Sequence, residues 1–345
     1  MPSVGLDISD TAITFIELLL RPEGFEVGRF GRRLIPEGVI ISGYVNDGDA
    51  VARALSEMRE EFKLDFIRAS ISEEKAYLFK TQIPRMEKGE IRGALEFRLE
   101  ENVPIPAKEA VFDYSVISSA EHKGSEHLDV GVTVLPLKVV ETYVDLFRKA
   151  GLVPLSFEIC AHAIMRAVVA RGDRRTLLLV NFGETRTALS IVSDEVVHFT
   201  STIPVGSRNI TEAIAAHFSV GSEEARVIKE DRAFLKDKEH TNVFSGLTGV
   251  MAVLREEMQK LSIYWSTHRD SQGESGKALE EILLCGRDAG MTGLSEYLSY
   301  SLNVPCKVAD VWQNICRFEA YIPPIPRIDS LDYAAAIGLA LPKGY

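Results

Sequence analysis

The chain has 345 residues, with 50 aspartates and glutamates against 39 lysines and arginines and a formal net charge of -11. That length suits two domains at roughly 150 residues each, and a content of 46% hydrophobic and 26% charged residues excludes a disordered chain. The acidic balance argues against a nucleic-acid binder, which needs a basic face to displace phosphate counterions, and against adsorption to anionic lipid.

The longest apolar runs, ITFIELLL and YAAAIGLAL, fall short of the ~20 residues of a membrane span, and the first contains Glu17. The opening MPSVGLDIS lacks the basic patch and apolar core of a signal peptide. Cys160, Cys285, Cys306 and Cys316 show no C-x-x-C spacing and read as inert thiols in a reducing compartment. Together these features imply a cytoplasmic location.

Val4, Leu6 and Ile8 alternate with small or polar residues, the period of a half-buried strand. Ser9-Asp10 supplies a turn, 13–20 a second strand, Pro22-Glu23-Gly24 another turn and 25–34 a third strand. Asp49 is placed to cap a helix that carries Val51, Leu55, Met58 and Phe62 on one face. Strands over 66–71 and 75–83 follow, then a charged helix over 88–101 with Ile91, Leu95 and Leu99 at spacing four. It stops before Val103-Pro104-Ile105-Pro106, because a residue preceding proline avoids the helical region. Strands over 111–118 and 128–135 and a helix over 137–150 complete a small α+β unit spanning 85–155. A helix is expected over 158–170, then strands over 176–181, 185–193 and 195–203. Next come a helix-rich stretch over 209–269, with 251–265 its longest helix, short strands at 282–284 and 306–308, and helices over 293–302 and 331–341.

The opening three strands recur. LDISDTAITFIEL from Leu6, set over VNFGETRTALSIV from Val180, places Asp7 on Asn181, Asp10 on Glu184, Thr11 on Thr185 and Phe15 on Leu189. Both units close on Ile-Pro-x-Gly, at Ile35 to Gly38 and Ile203 to Gly206. Two such hairpin turns facing each other can cradle the phosphates of a nucleotide with backbone N–H groups. A carboxylate ending each first strand can hold Mg²⁺ through water.

In its order of elements the chain resembles the actin-like superfamily. More closely, it resembles the PilM family of type IV pilus assembly proteins, which is related to FtsA. VGLDISDTAITFIEL is similar to that family's first phosphate hairpin, and ALEFRLEENVPIPAKEAVFDYSVI to the start of its inserted small subdomain. VVETYVDLFRKAGLVPLSFEICAHAIMRAV is similar to the end of that subdomain, and IPVGSRNITEAIAAHFSVGSEEARVIKE to the opening of the second lobe. ILLCGRDAGMTGLSEYLSYSLNVPCKVAD and DYAAAIGLAL are similar to the base loop and closing helix.

The resemblance implies a two-lobed α/β actin-like fold, a duplicated ribonuclease H-like core. Residues 1–84 and 156–175 would form the first-lobe subdomain and 85–155 the inserted one. Residues 176–208 and 281–345 would form the second-lobe core, and 209–280 its helical subdomain. It implies ATP and Mg²⁺ as ligands, with Asp7, Ser9, Asp10, Thr11, Asn181, Gly183, Thr185, Lys229, Gly286 and Arg287 at the nucleotide and Asp7 holding the metal through water. It also implies a partner, the N-terminal cytoplasmic tail of a PilN-like membrane protein, in a groove beside the inserted subdomain. Phe97, which falls off the Ile91–Leu95–Leu99 face, with Val103 and Ile105, is the candidate tail contact. Family members form a ring or platform under the pilus, so a homo-oligomer is implied.

Each nucleotide motif departs from the family pattern. Ser9 stands where glycine is usual, and Asn181 replaces an aspartate and brings no charge to a metal. Gly286-Arg287-Asp288-Ala289-Gly290 replaces a run of glycines, and Arg226 stands where an acidic residue would meet the ribose. Thr185 and Thr187 remain as phosphate contacts, and Glu158 or His162 as the residue to orient water, with Glu158 the catalytic candidate. The expectation is a scaffold with a degenerate cleft and little or no ATP turnover. The alternatives are an active actin-fold ATPase or small-molecule kinase, and the equivalent platform component of a type II secretion system. Ending at Pro342-Lys343-Gly344-Tyr345, the chain carries no FtsA-like amphipathic membrane helix, which implies membrane attachment through a partner.

Overall fold

The computed structural model describes residues 3–117, 126–232, 241–268 and 275–342. Met1, Pro2, Ser118, residues 233–240, Arg269 and Lys343 to Tyr345, to which the readings above extend, lie outside them.

Strands β1 (Ser3–Ile8), β2 (Ala12–Arg21) and β3 (Gly24–Leu34) form the opening antiparallel meander. A two-residue ribbon, β4 (Ile40–Ile41) with β5 (Tyr44–Val45), leads to helix α1 (Gly48–Phe62). Asp47, not Asp49, caps this helix, accepting from the Ala50 amide at 2.9 Å. Asp49 lies within the first turn and pairs with Lys149 instead. After β6 (Phe66–Ile71) the chain makes β7 (Tyr77–Pro84), α2 (Lys88–Asn102), β8 (Ala110–Ile117) and β9 (His127–Pro136). Helix α3 (Leu137–Lys149), β10 (Val153–Ile159) and α4 (Cys160–Val168) return it to the first sheet.

The second lobe repeats the plan with β11 (Leu177–Phe182), β12 (Thr187–Ser193) and β13 (Val196–Ile203). Helices α5 (Ser207–Phe218), α6 (Ser222–Arg232) and α7 (Thr241–Thr267) follow. Then come β14 (Glu281–Cys285), α8 (Leu294–Leu302), β15 (Cys306–Val308), α9 (Arg327–Ser330) and α10 (Ala334–Ala340).

The two main sheets have the same topology. One runs β10-β6-β1-β2-β3 and the other, read from its far edge, β15-β14-β11-β12-β13. In each, an antiparallel meander pairs through its first strand with two parallel strands. The hairpins close in one register: Asp7 faces Thr14 as Asn181 faces Ala188, and Ile8 faces Ile13 as Phe182 faces Thr187. The alternation of apolar residues sets this register, because a slip of one residue would turn every buried side chain outward.

Helix α10 is buried along its whole length and packs between the first sheet and α4. It gets that close only because a Cβ on Gly5 would lie 2.0 Å from the Ala336 carbonyl, and one on Gly338 only 1.7 Å from the Ala163 carbonyl. A single apolar core fills both main sheets, and Ile83, Ile91, Leu95, Leu99, Phe112 and Val132 form a second, smaller one under α2.

Three expected boundaries move. Strand β7, read as first-lobe, pairs with β9 in a three-stranded sheet ordered β7-β9-β8. Helix α3, read as part of the small unit, buries Tyr143, Leu146 and Phe147 in the main core against α1. The unit with its own core therefore spans 77–136 rather than 85–155. Glu158 lies in a strand, not a helix: Val153, Leu155, Phe157 and Ile159 keep a period of two, and β10 continues in parallel register with β6 as far as Ile159.

Candidate functional site

The two hairpin turns meet at the mouth of the cleft between the lobes. In the first, the Ser9 amide donates to the Ala12 carbonyl at 2.9 Å, and the Ser9 hydroxyl donates to the same carbonyl at 3.0 Å while accepting from the Ala12 amide at 3.1 Å. In the second, the Gly183 amide donates to the Arg186 carbonyl at 3.0 Å. The turns face one cavity of about 120 Å³ that brings together Asp7, Ser9, Asp10, Thr11, Asn181, Gly183, Thr185, Gly286 and Arg287. Gly286 is required there by a φ of +93° and by the Phe182 carbonyl, which would lie 2.5 Å from a Cβ.

The aspartates of the first hairpin already have partners from within the protein. Asp7 accepts from the Ser70 hydroxyl and, at 2.9 Å, from the Cys160 thiol. Burial raises the Asp7 pKa, with those two hydrogen bonds opposing it, and pushes the Cys160 thiol well up, so the thiol stays a donor. Asp10 accepts from the amides of Ser42 and Gly43 at 3.1 and 3.3 Å. Arg186 then crosses the cleft. One guanidinium nitrogen donates to Asp10, and the other to Glu74 at 2.6 Å. Glu73 is buried beside them, its pKa raised to about 7 by burial first and by Asp7 and Glu74 after it. Farther out, Arg208 pairs with Glu37 at 2.5 Å, a second link between lobes.

On the nucleoside side, Lys229 is buried and donates to the Ser207 hydroxyl at 2.6 Å and to Asp288 at 2.9 Å. Arg226 is held by Glu223 and Glu230 at 2.6 and 2.7 Å, and Arg287 lies 3.8 Å from Asp332. Thr187, expected at the phosphates, is fully buried and donates to the Val205 carbonyl at 2.8 Å.

The hairpin residues do not fit a Mg²⁺-bound phosphate chain. The space between the hairpins is about 120 Å³, and the nucleoside side beyond it, lined by Arg226, Lys229 and Asp288, opens about 400 Å³. Asp10 is neutralised by Arg186, Asn181 carries no charge, and burial favours the uncharged form of Asp7. Among the described residues no group of three or more His, Cys, Asp or Glu side chains could hold a metal ion. Sequence reasoning missed Arg186, Glu73, Ser70, Cys160 and Asp288. Arg186 alone had a visible signal: in the aligned repeats it falls on Ala12, so the second hairpin carries a cation where the first carries a methyl group.

Glu158 and His162 are outside this cleft. They line a groove of about 680 Å³ between the small sheet and the first lobe. One wall is β8 and β9, through Val111, Phe112 and Val132; the other is β10 and α4, through Phe157 and Met165; and Val196 closes one side. Among the described residues both β8 and β10 are edge strands, each paired on one side only. None of the three expected tail contacts lines the groove. Phe97 is 86% exposed on the outer face of α2, Val103 is buried with Leu95 and Leu99, and Ile105 packs on that same core.

The sequence profile of the family described as type IV pilus assembly protein PilM matches residues 5–343. The chain belongs to the PilM family. Among solved structures, this family member is similar to one described as a PilM-PilN type IV pilus biogenesis complex. The TM-score is 0.77 at 20% identity, over 98% of this chain and 97% of that one. It is similar to the ethanolamine utilization protein EutJ from Carboxydothermus hydrogenoformans, with a TM-score of 0.53 at 17% identity over 99% and 89% of the two chains. It is also similar to MreB5 of Spiroplasma citri bound to ADP, with a TM-score of 0.51 at 12% identity over 91% and 93%. At these identities the likeness carries the fold, which is the actin-like ATPase fold, and MreB5 on that fold is bound to ADP.

Proposed function

We propose that this PilM-family protein is a scaffold of a type IV pilus inner-membrane assembly platform. Its groove between the small sheet and the first lobe takes the N-terminal tail of a PilN-like membrane protein, and its nucleotide cleft is degenerate. The observation that carries this reading is the contrast between the two spaces. The space between the two phosphate hairpins is only about 120 Å³ and is bridged by Arg186. The groove offers about 680 Å³, with Val111, Phe112, Val132, Phe157 and Met165 on its walls and, among the described residues, the unpaired edges of β8 and β10 beside it. Apolar pockets beside an unpaired strand edge are what peptide recognition by strand addition or groove docking uses.

Family membership and the likeness to a PilM-PilN complex support the choice of partner. Among the described residues no helix is long and apolar enough to cross a membrane, which fits attachment through that partner. The test is a titration of the full chain with a synthetic PilN-type tail, with and without Mg-ATP. Saturable binding unaffected by nucleotide is expected; its absence in both conditions overturns the reading.

A further inference from the structure

Glu158 stands on the groove wall with one carboxylate oxygen engaged and the other not. It is the penultimate residue of β10, beside Ser70 of β6, and only 7% exposed. Its Oε2 accepts from Arg166 Nη2 at 2.9 Å. Arg166 Nε in turn donates to the Gly338 carbonyl at 2.8 Å, so the guanidinium is tied at two points and fixes the carboxylate. Oε1 is buried and has no hydrogen-bond partner among the described residues. Buried acceptors in folded proteins are almost always satisfied, and an unsatisfied oxygen on an ionisable group is the costlier kind. Here the unsatisfied oxygen belongs to a side chain that lines a groove large enough for a peptide.

We propose that Glu158 is the polar reader of this groove: Oε1 accepts a hydrogen bond from an uncharged side chain of the docked tail, a carboxamide or a hydroxyl. The inference rests on the reading of the groove as the tail site. The donor is uncharged because Arg166 already balances the Glu158 carboxylate, and a lysine or arginine would set a second cation beside Arg166. It comes from a side chain because a group this buried lies beneath the path of a main chain that follows the exposed strand edges. Among apolar contacts that tolerate many sequences, one buried hydrogen bond sets register and selectivity, since an analogue lacking the donor leaves the acceptor unpaired.

The test is a double-mutant cycle on the full chain. A synthetic PilN-type tail and versions with each Asn, Gln, Ser or Thr changed to an apolar residue of similar size are titrated against wild type, Glu158→Gln and Glu158→Leu. One replacement is expected to weaken binding to wild type at least 10-fold and to Glu158→Leu less than threefold, with Glu158→Gln keeping a neutral acceptor and intermediate discrimination. If Glu158→Leu proves poorly folded, the replacement series against wild type and Glu158→Gln decides alone. Equal losses against all proteins, or a coupling found only at a lysine or arginine, overturn the inference while leaving the groove as the tail site. Failure of the unmodified tail to bind wild type overturns the groove reading itself.

Discussion

Arg186 of the second hairpin donates to Asp10 of the first, across the cleft that separates the duplicated halves. The contact is possible because the hairpins are in equivalent register. The Ser9 amide meets the Ala12 carbonyl as the Gly183 amide meets the Arg186 carbonyl, so Arg186 occupies the place of Ala12 and points at its twin turn. Glu74 completes the clasp. A site built for phosphate presents unpaired donors to an anion; this one has supplied its own carboxylates.

Breaking the clasp is expected to cost stability. Arg186→Ala leaves Asp10 and Glu74 close together and without their cation, in surroundings where the three side chains are only 12–19% exposed. Removing one partner of a buried pair costs roughly 3–5 kcal/mol, and partial exposure reduces that to about 2 kcal/mol here. Urea denaturation of Arg186→Ala beside Arg186→Ala with Asp10→Asn measures it. The second change should restore part of the loss. A loss below about 0.5 kcal/mol would mean that solvent screens the clasp.

ATP turnover by the isolated protein is expected to stay at background. Glu158, the candidate for orienting water, faces the groove, and Asp7 is enclosed by Ser70 and Cys160. The measurement is steady-state phosphate release with Mg²⁺, for wild type and Asp7→Asn. A metal-dependent rate in the ordinary enzyme range, from about 1 s⁻¹ upward, that disappears in Asp7→Asn would refute this.

The fold was largely legible because its signals are local. Alternation in Val4, Leu6 and Ile8, turn residues at Ser9-Asp10, and the return of the pattern at Asn181 are readable without knowing what packs on what. Nine cleft residues named from the repeat and the resemblance do line one cavity. What was not legible is long-range. Whether β7 joins the first sheet or the small one depends on a pairing with β9 that lies beyond a helix and a strand. Helix α3 has the pattern of any amphipathic helix, and only tertiary packing says that Phe147 belongs to the main core. Phe97 is the converse case. Falling off the buried stripe of α2 marks it as exposed, but exposure does not say which surface a partner uses.

Glu73 should give the cleft a pH dependence of definite sign. Burial holds its pKa near 7 in the folded protein, against an ordinary value of 4.5. The native state therefore keeps a proton that the unfolded chain has released, and stability falls as pH rises from about 4.5 to about 7, levelling off above. The full effect is at most roughly 3 kcal/mol at one pKa unit per 1.36 kcal/mol. Asp7 shifts in the same direction. Glu73→Gln cannot ionise, so it should match wild type at pH 5 and exceed it in unfolding free energy at pH 8. A difference between the two proteins that stays constant across that range would contradict an uncharged Glu73 in the fold.

The groove and the α2 surface can be separated by one pair of substitutions. Val111 is on the edge strand β8, 36% exposed and on the groove wall, so a lysine there can be solvated without disturbing either core. Its charge would lie where an apolar tail must be desolvated, and affinity for the PilN-type tail should fall at least 10-fold with an unchanged melting temperature. Phe97 is 86% exposed and does not line the groove, and Phe97→Ala should leave tail affinity within about twofold. Fluorescence anisotropy with a labelled tail reads both. The reverse pattern, binding lost in Phe97→Ala and kept in Val111→Lys, would move the tail site from the groove to the outer face of α2.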